Sequence, residues 1–164
     1  MYMKIVTAAV ALICFASLTW SSAARAQTVL SVTGDASTNS FFDQTTTLGS
    51  IELRVQGQGF GTVKLVCGIL GQQVPNSDGS FTPKSDGSVT FQHMVACDDH
   101  SLFRLSTHTV ISLPPLSCVG TFRENSNVVG VVGPFAGWTG QLSIDGTINC
   151  GFNDMKITGS MTRP

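Results

Sequence analysis

Three histidines and two carboxylates in the middle of the chain are the side chains best suited to chemistry. His93, Asp98, Asp99, His100 and His108 all lie in one short stretch of the sequence. A carboxylate next to an imidazole is the usual material of general acid–base catalysis, and both groups are ligands for zinc. The stretch therefore holds a candidate acid–base or metal site, made of His93, Asp98, His100 and His108.

The spacing of the histidines argues against this site. Six and seven residues separate them, and this spacing matches no short metal-binding motif. The many serines and threonines offer no single candidate nucleophile. The favoured interpretation is that the loop charges are solvated and that one histidine is half-buried on a strand. The sequence therefore assigns no catalytic residue and no cofactor.

A polar loop is the first candidate recognition segment. Between residues 75 and 88 the tetrapeptide Ser-Asp-Gly-Ser occurs twice and contains Asp78 and Asp86. Their carboxylates could bind calcium, but the loop lacks the dense Asp spacing and the bidentate Glu of a dedicated calcium loop. Turn chemistry accounts for both residues, because Asp and Gly favour tight turns.

The second candidate recognition segment contains Pro134, Phe135 and Trp138. It overlaps the most apolar stretch after the N-terminus, residues 128–136. If this stretch is exposed, it is a binding or assembly surface; if it is buried, it is a core strand that ends at a turn. The buried interpretation is favoured, with Trp138 covering the same core.

Four cysteines remain once the N-terminal segment is set aside: Cys67, Cys97, Cys118 and Cys150. An even number in an exported chain predicts two disulfides, and no Cys-x-x-Cys spacing supports a redox or zinc-ribbon motif. Antiparallel pairing of the strands on either side of residues 75–88 places Cys67 opposite Cys97. Of the three possible pairings we therefore prefer Cys67 with Cys97 and Cys118 with Cys150.

Alternating polar and apolar side chains predict the strands that must position these residues. Residues 51–56 place an apolar side chain at every second position, which is the period of a half-buried strand. For residues 101–112 a strand is preferred over a short helix capped by Asp98 and Asp99, because several side chains are β-branched. The predicted strands are 28–33, 51–56, 62–69, 89–97, 101–112, 117–123, 128–132, 138–144, 147–150 and 155–161.

Turns are expected between these strands. Residues 34–40 read as a polar connection, the glycine-rich residues 57–61 as a bulge or tight turn, residues 124–127 as a turn and Asp145-Gly146 as a hairpin turn. Many short strands without an amphipathic helix predict an all-β fold. We expect an antiparallel β-sandwich, or a partly closed barrel, with two disulfides.

The N-terminus has the parts of a secretory signal peptide. A basic start and a short apolar run are followed by Ala24-Arg25-Ala26, so we predict cleavage after residue 26 and one domain from 27 to 164. A retained membrane anchor is the alternative, but the apolar run is shorter than the ~20 residues that usually span a bilayer. We therefore expect a secreted or periplasmic protein without a stable membrane span after cleavage.

The charge balance limits the possible partners. Of nine lysines and arginines, Lys4 and Arg25 belong to the predicted signal peptide, which leaves seven against ten acidic residues, a net charge of −3. This balance argues against nucleic acid and anionic membranes as partners. A protein or carbohydrate partner is compatible with it.

Three functions are compatible with this chain. The preferred one is an exported, non-catalytic binding or structural module. The first alternative is a small extracellular hydrolase or metal-dependent enzyme that uses the histidine and aspartate cluster. The second is a self-assembling, fimbria-like subunit that adds strands edge to edge through residues 28–33 or 155–161.

Overall fold

In the part of the chain that the structure describes, eight antiparallel strands form one continuous sheet that closes on itself into a barrel. The structure is a computed structural model, and it describes residues 27–40 and 45–163. The predicted signal peptide lies outside these ranges. Within them, no helix is long and apolar enough to cross a membrane. The strands, in chain order, are β1 (Thr28–Ser40), β2 (Thr46–Gly57), β3 (Gly61–Gln73), β4 (Ser88–Cys97), β5 (Leu102–Ser112), β6 (Val119–Val132), β7 (Thr139–Asn149) and β8 (Phe152–Arg163).

The first and last strands close the barrel. β1 pairs with β2 on one side and with β8 on the other, so that Thr28 faces Arg163. The all-antiparallel prediction is confirmed, whereas the predicted sandwich is wrong: there is a single sheet, and it is closed completely. Alternating side chains are common to sandwiches and barrels, so the pattern alone does not separate them.

Glycines on the inner face allow the strong curvature that closure needs. A Cβ atom at Gly140 would lie 2.0 Å from the carbonyl oxygen of Ser160, and one at Gly159 would lie 2.2 Å from that of Gln141. The backbones of β7 and β8 therefore approach each other more closely than any side chain permits. Such inward glycines are a known means of bending strands around a small barrel.

Two predicted interruptions are absent, which merges four predicted strands into two. Residues 124–127 continue β6, and Asp145-Gly146 continues β7. Asp145 points outward and forms an ion pair with Arg123, with 2.7 Å between Nε and Oδ1. Gly146 points inward, where the ring of Phe122 occupies the space that a side chain would need. Residues 34–40, predicted as a connection, are likewise the second half of β1.

Both predicted disulfides are present. Cys67 is bonded to Cys97, and the two face each other in the register of β3 and β4. Cys118 is bonded to Cys150, which ties the connection before β6 to the turn between β7 and β8. In the chain-entropy model, closing loops of this length stabilises the fold by about 4 kcal/mol each.

One five-residue turn occurs three times, at residues 76–80, 84–88 and 97–101. In each, the aspartate at the third position accepts a 2.9 Å hydrogen bond from the N–H of the serine at the fifth. The fourth residue has a positive φ and is Gly79, Gly87 or His100. The two Ser-Asp-Gly-Ser copies thus have one backbone structure, and a third copy joins β4 to β5.

Candidate functional site

The interior of the barrel contains a cavity of about 890 Å³. Inward side chains are mostly apolar, while the outer face carries most of the polar and charged side chains. A cavity of this size falls within the range of small-molecule sites, roughly 300 to 1,000 Å³. It is therefore the first place to look for a function.

Aromatic side chains close one end of the barrel, where both chain ends of the described structure lie. The segment between β6 and β7 folds back over the barrel and brings Phe135 inside, where it is only 1% exposed. Its ring centroid lies 5.6 Å from that of Phe103 and 6.4 Å from that of Trp138, and Phe60 covers them from the turn between β2 and β3. We call this end the closed end.

Within residues 27–40 and 45–163, the cavity reaches solvent at the opposite end, which we call the open end. The lining residues there are exposed, with Phe81 at 46% and Phe152 at 65%. The long connection between β3 and β4 borders this opening, and Gln73 Nε2 anchors it by donating a 2.7 Å hydrogen bond to the carbonyl oxygen of Phe81. The disulfide between Cys118 and Cys150 also lines the cavity at this end.

The cavity is mainly apolar, and its two buried titratable side chains lie on one side. On β7, β8, β1 and β2 the lining side chains are apolar, apart from Thr38, Thr47, Asn153 and a few polar residues at the open end. On β4, β5 and β6, which we call the polar wall, the buried polar side chains of His93, Thr109 and Glu124 line the cavity among apolar ones. A ligand with a polar group on an otherwise apolar body would match this division.

Glu124 is the only buried carboxylate among the described residues, at 7% exposure. Thr109 Oγ1 donates a 3.1 Å hydrogen bond to its Oε1. Burial raises the pKa of Glu124 from its ordinary 4.5 to about 7, and the Thr109 hydrogen bond lowers it only in part. Near neutral pH the side chain is therefore present in both its neutral and its charged form.

His93 begins a chain of buried hydrogen bonds on the polar wall. Its Nδ1 lies 3.2 Å from Thr107 Oγ1, which in turn lies 2.8 Å from Ser126 Oγ. Burial lowers the pKa of His93 from 6.5 to about 4, so the ring is neutral at pH 7. The absence of a side chain at Gly71 makes room for this ring, since a Cβ there would lie 2.3 Å from its Cδ2.

The structure does not bring the predicted acid–base or metal residues together. His93 points into the barrel, whereas His108 is exposed on its outer face. Asp98 and His100 lie in the turn between β4 and β5 at the closed end, where Asp98 Oδ1 accepts a 3.2 Å hydrogen bond from the N–H of Val66. No group of three potential metal ligands occurs within residues 27–40 and 45–163.

The predicted recognition residues have structural positions. The carboxylates of Asp78 and Asp86 shape their turns, and hydrogen bonds from Ser80 and Ser88 lower their pKa values. Phe135 and Trp138 are buried at the closed end, while Pro134 is exposed beside them. Residues 128–136 are therefore divided: Val128 and Phe135 are buried in the core, whereas Val131 and Val132 are exposed.

Glu124 and Thr109 line the cavity but were not predicted as site residues. Residues 124–127 resemble a turn by composition, because Glu, Asn, Ser and Asn are all polar. A signal was nevertheless present: Phe122, Glu124, Ser126 and Val128 occupy every second position and all are buried. Continuing that alternation through the polar residues would have placed Glu124 on the inner face.

The strands proposed for edge-to-edge assembly are already paired. β1 has β2 and β8 as neighbours, and β8 has β7 and β1. Closure of a barrel removes the edges that strand addition requires. Neither residues 28–33 nor 155–161 offer a free edge in this state.

No protein-family model, curated protein or solved structure matches the chain. The geometry itself defines a class: an eight-stranded up-and-down β-barrel with one closed end, one open end and an apolar interior. The two disulfides indicate an oxidising environment, extracellular or periplasmic.

Proposed function

We propose that this protein is an exported, non-catalytic binding module that holds a small, mainly apolar molecule inside its barrel. The observation that carries the proposal is the cavity, which is open at one end and closed by aromatic side chains at the other. Eight-stranded barrels are wide enough to hold one small ligand.

The size of the cavity excludes a dry, empty interior. If the cavity were an empty void, it would cost about 20 kcal/mol at about 24 cal/mol per Å³, more than the roughly 5 to 15 kcal/mol by which domains are stable. Solvent must therefore enter through the open end when no ligand is bound. An apolar molecule that displaces this water gains about 25 cal/mol for each Å² of apolar surface that it buries.

The side chains that line the cavity favour a molecule that is apolar over most of its surface. Outside the open end, the side chains on β7, β8, β1 and β2 are aliphatic or methionine. The polar wall adds few hydrogen-bonding groups, a combination typical of small-molecule sites. Extended polar molecules such as oligosaccharides fit this lining poorly.

Binding of 1-decanol measured by isothermal titration calorimetry tests the proposal. Ala36 is buried and lines the cavity, so Ala36→Phe fills part of it and should weaken decanol binding at least tenfold. Ala96 is exposed on the outer face of β4, so Ala96→Phe is the matched control and should leave the affinity unchanged. Both variants should keep the wild-type circular dichroism spectrum.

Two results would contradict a cavity function. One is the absence of heat and of thermal stabilisation when decanol is added to the disulfide-bonded wild type. The other is equal decanol affinity in wild type and in a folded Ala36→Phe variant. In that case decanol binds elsewhere on the protein.

A further inference from the structure

We propose that Glu124 makes the cavity selective for apolar molecules that carry one cationic amine, an inference that rests on the proposed function. The amine would contact the carboxylate on the polar wall, and the apolar body would fill the remaining cavity.

One carboxyl oxygen of Glu124 is available to a ligand. Oε1 accepts the hydrogen bond from Thr109, and the described residues provide no partner for Oε2. No buried side-chain polar atom in the described structure is both sealed from solvent and without a hydrogen bond, so Oε2 faces accessible space. That space is the cavity, since Glu124 lines it.

No cation among the described residues competes for this carboxylate. All seven lysines and arginines of the described residues are exposed. On β5 and β7, the strands that flank Glu124, the inward neighbours include Thr107, Thr109, Leu142 and Ile144, none of which titrates. Of all the inward side chains on the described strands, only His93 also titrates, and burial keeps it neutral at pH 7.

A buried carboxylate without a cationic partner is an uncommon arrangement, because buried charges are normally paired. A protonated amine supplies the missing partner and three hydrogen-bond donors. A hydrogen bond between charged groups is roughly twice as strong as one between neutral groups. A ligand alcohol or ketone would therefore gain less at Glu124 than an amine, and a ligand carboxylate would be repelled.

The protonation state of Glu124 permits this pairing at neutral pH. Because its pKa is about 7, roughly half of the molecules already carry the charge at pH 7. An aliphatic amine with a pKa near 10.4 is protonated over the same range. At pH 8 both partners are charged, whereas at pH 5.5 Glu124 is mostly neutral and the ionic contact is lost.

Three probes with the same ten-carbon chain separate the head group from the apolar body. We expect decylamine to bind the wild type at pH 8 at least tenfold more tightly than 1-decanol, and decanoate to bind more weakly than 1-decanol. All are measured by calorimetry below the concentrations at which they form micelles. The preference for decylamine over decanol should fall at least threefold at pH 5.5.

Glu124→Gln tests the residue directly, because the amide has nearly the same shape and still accepts the Thr109 hydrogen bond. In this variant decylamine and decanol should bind within about threefold of each other at pH 8, with decanol affinity unchanged. Glu52→Gln, on the exposed outer face of β2, is the matched control and should keep the full preference.

Each outcome decides between the two proposals. If decanol and decylamine bind the wild type equally, or the preference survives in Glu124→Gln, the amine selectivity is overturned and the cavity function stands. If none of the three probes binds, both are overturned. If Glu124→Gln does not fold, the pH dependence of the preference in the wild type decides, and a preference independent of pH overturns the amine selectivity.

Discussion

At the scale of single residues, two buried titratable side chains act in opposite directions on stability. The pKa of Glu124 is raised to about 7, so the folded protein keeps a proton there that the unfolded chain releases above pH 4.5. The pKa of His93 is lowered to about 4, so the folded protein lacks a proton that the unfolded chain binds below pH 6.5. Burial is the main cause of both shifts.

The effects of these two pKa shifts on the pH dependence of stability cancel in the wild type. Between pH 4.5 and 6.5 the unfolded chain binds one proton at the pair, on His93, and the folded protein also binds one, on Glu124. Since the slope of stability against pH equals the difference in bound protons, the pair contributes almost no slope in this window. The contribution of Glu124 to the free energy of unfolding is present at low pH and is lost as pH rises through 7. The contribution of His93 is present at neutral pH and is lost as pH falls towards 4.

Replacing either Glu124 or His93 should reveal how the other residue changes the free energy of unfolding with pH. In Glu124→Gln only His93 remains, and the free energy of unfolding should rise by about 3 kcal/mol between pH 4 and 6.5, whereas the contribution of the pair in the wild type is nearly flat from pH 4.5 to 6.5. In His93→Gln only Glu124 remains, and the free energy should fall by about 3 kcal/mol between pH 4.5 and 7. Urea denaturation across this pH range measures both slopes.

The exposed residues Glu52 and His108 provide the controls. Glu52→Gln and His108→Gln remove the same types of side chain from the outer face and should leave the wild-type profile unchanged. Parallel slopes in Glu124→Gln and His93→Gln, or slopes no larger than those of the controls, would contradict the assignment of these two groups.

The sequence allowed His93 to be placed on an inward-facing row, because apolar residues flank it at every second position. It did not allow Glu124 to be placed, because its neighbours Asn125 and Asn127 are also polar. The even spacing of Phe122, Glu124 and Val128 was the only signal, and it is weak when the outward residues beside Glu124 are polar too. The chemistry of the polar wall therefore became evident only from the pairing of β5 with β6.

At the scale of elements, the glycines on the strands fall into two kinds. Gly140 points towards the backbone of β8, and an added Cβ would lie 2.0 Å from the Ser160 carbonyl oxygen. Gly68 on β3 points outward, and no atom lies within 4 Å of the position that its Cβ would take. Only the first kind holds neighbouring strands at close approach.

Alanine substitutions should separate the two kinds. Gly140→Ala should lower the free energy of unfolding by about 1 to 3 kcal/mol, because the methyl group must push β7 away from β8. Gly68→Ala is the matched control and should be neutral or stabilise by up to about 1 kcal/mol, because alanine loses less backbone entropy on folding. Thermal and urea denaturation measure both. A loss of stability in Gly68→Ala equal to that in Gly140→Ala would rule out close approach as the reason for Gly140.

The strands with clear alternation were predictable, including β5, for which a helix was the alternative. The register of β3 and β4 was predictable as well, because it places Cys67 opposite Cys97. The errors came from polar residues within strands. Asp145-Gly146 favours a hairpin turn in isolation, but in the barrel Asp145 pairs with Arg123 and Gly146 accommodates Phe122. Contacts between distant residues override the local turn preference at this point.

At the scale of the whole molecule, closure was the feature that the sequence did not reveal. Closure depends on pairing between β1 and β8, which lie at opposite ends of the chain. No local pattern reports such a contact, since the same alternating strands also build a sandwich. The pairing has a direct consequence: Thr28 and Arg163 are partners in the register, so the ends of the described chain lie side by side at the closed end.

A circular permutant tests this closure. A short Gly-Ser linker would join residue 163 to residue 27, and new ends would be opened between Gly79 and Ser80, in the exposed turn at the open end. We expect this permutant to fold, to form both disulfides and to bind decanol with the wild-type affinity, because the cut crosses no strand and the linker spans neighbouring residues. Circular dichroism, intact mass and calorimetry measure these properties.

A second permutant, opened between Asn125 and Ser126 within β6, is the control. It interrupts the pairing of β6 with both β5 and β7, so it should lose the cooperative unfolding transition. Failure of the first permutant to fold, with a linker long enough to exclude strain, would mean that β1 and β8 are not neighbours in solution. An open sheet would then expose the edges of β1 and β8, and the cavity would lose the wall that these strands form.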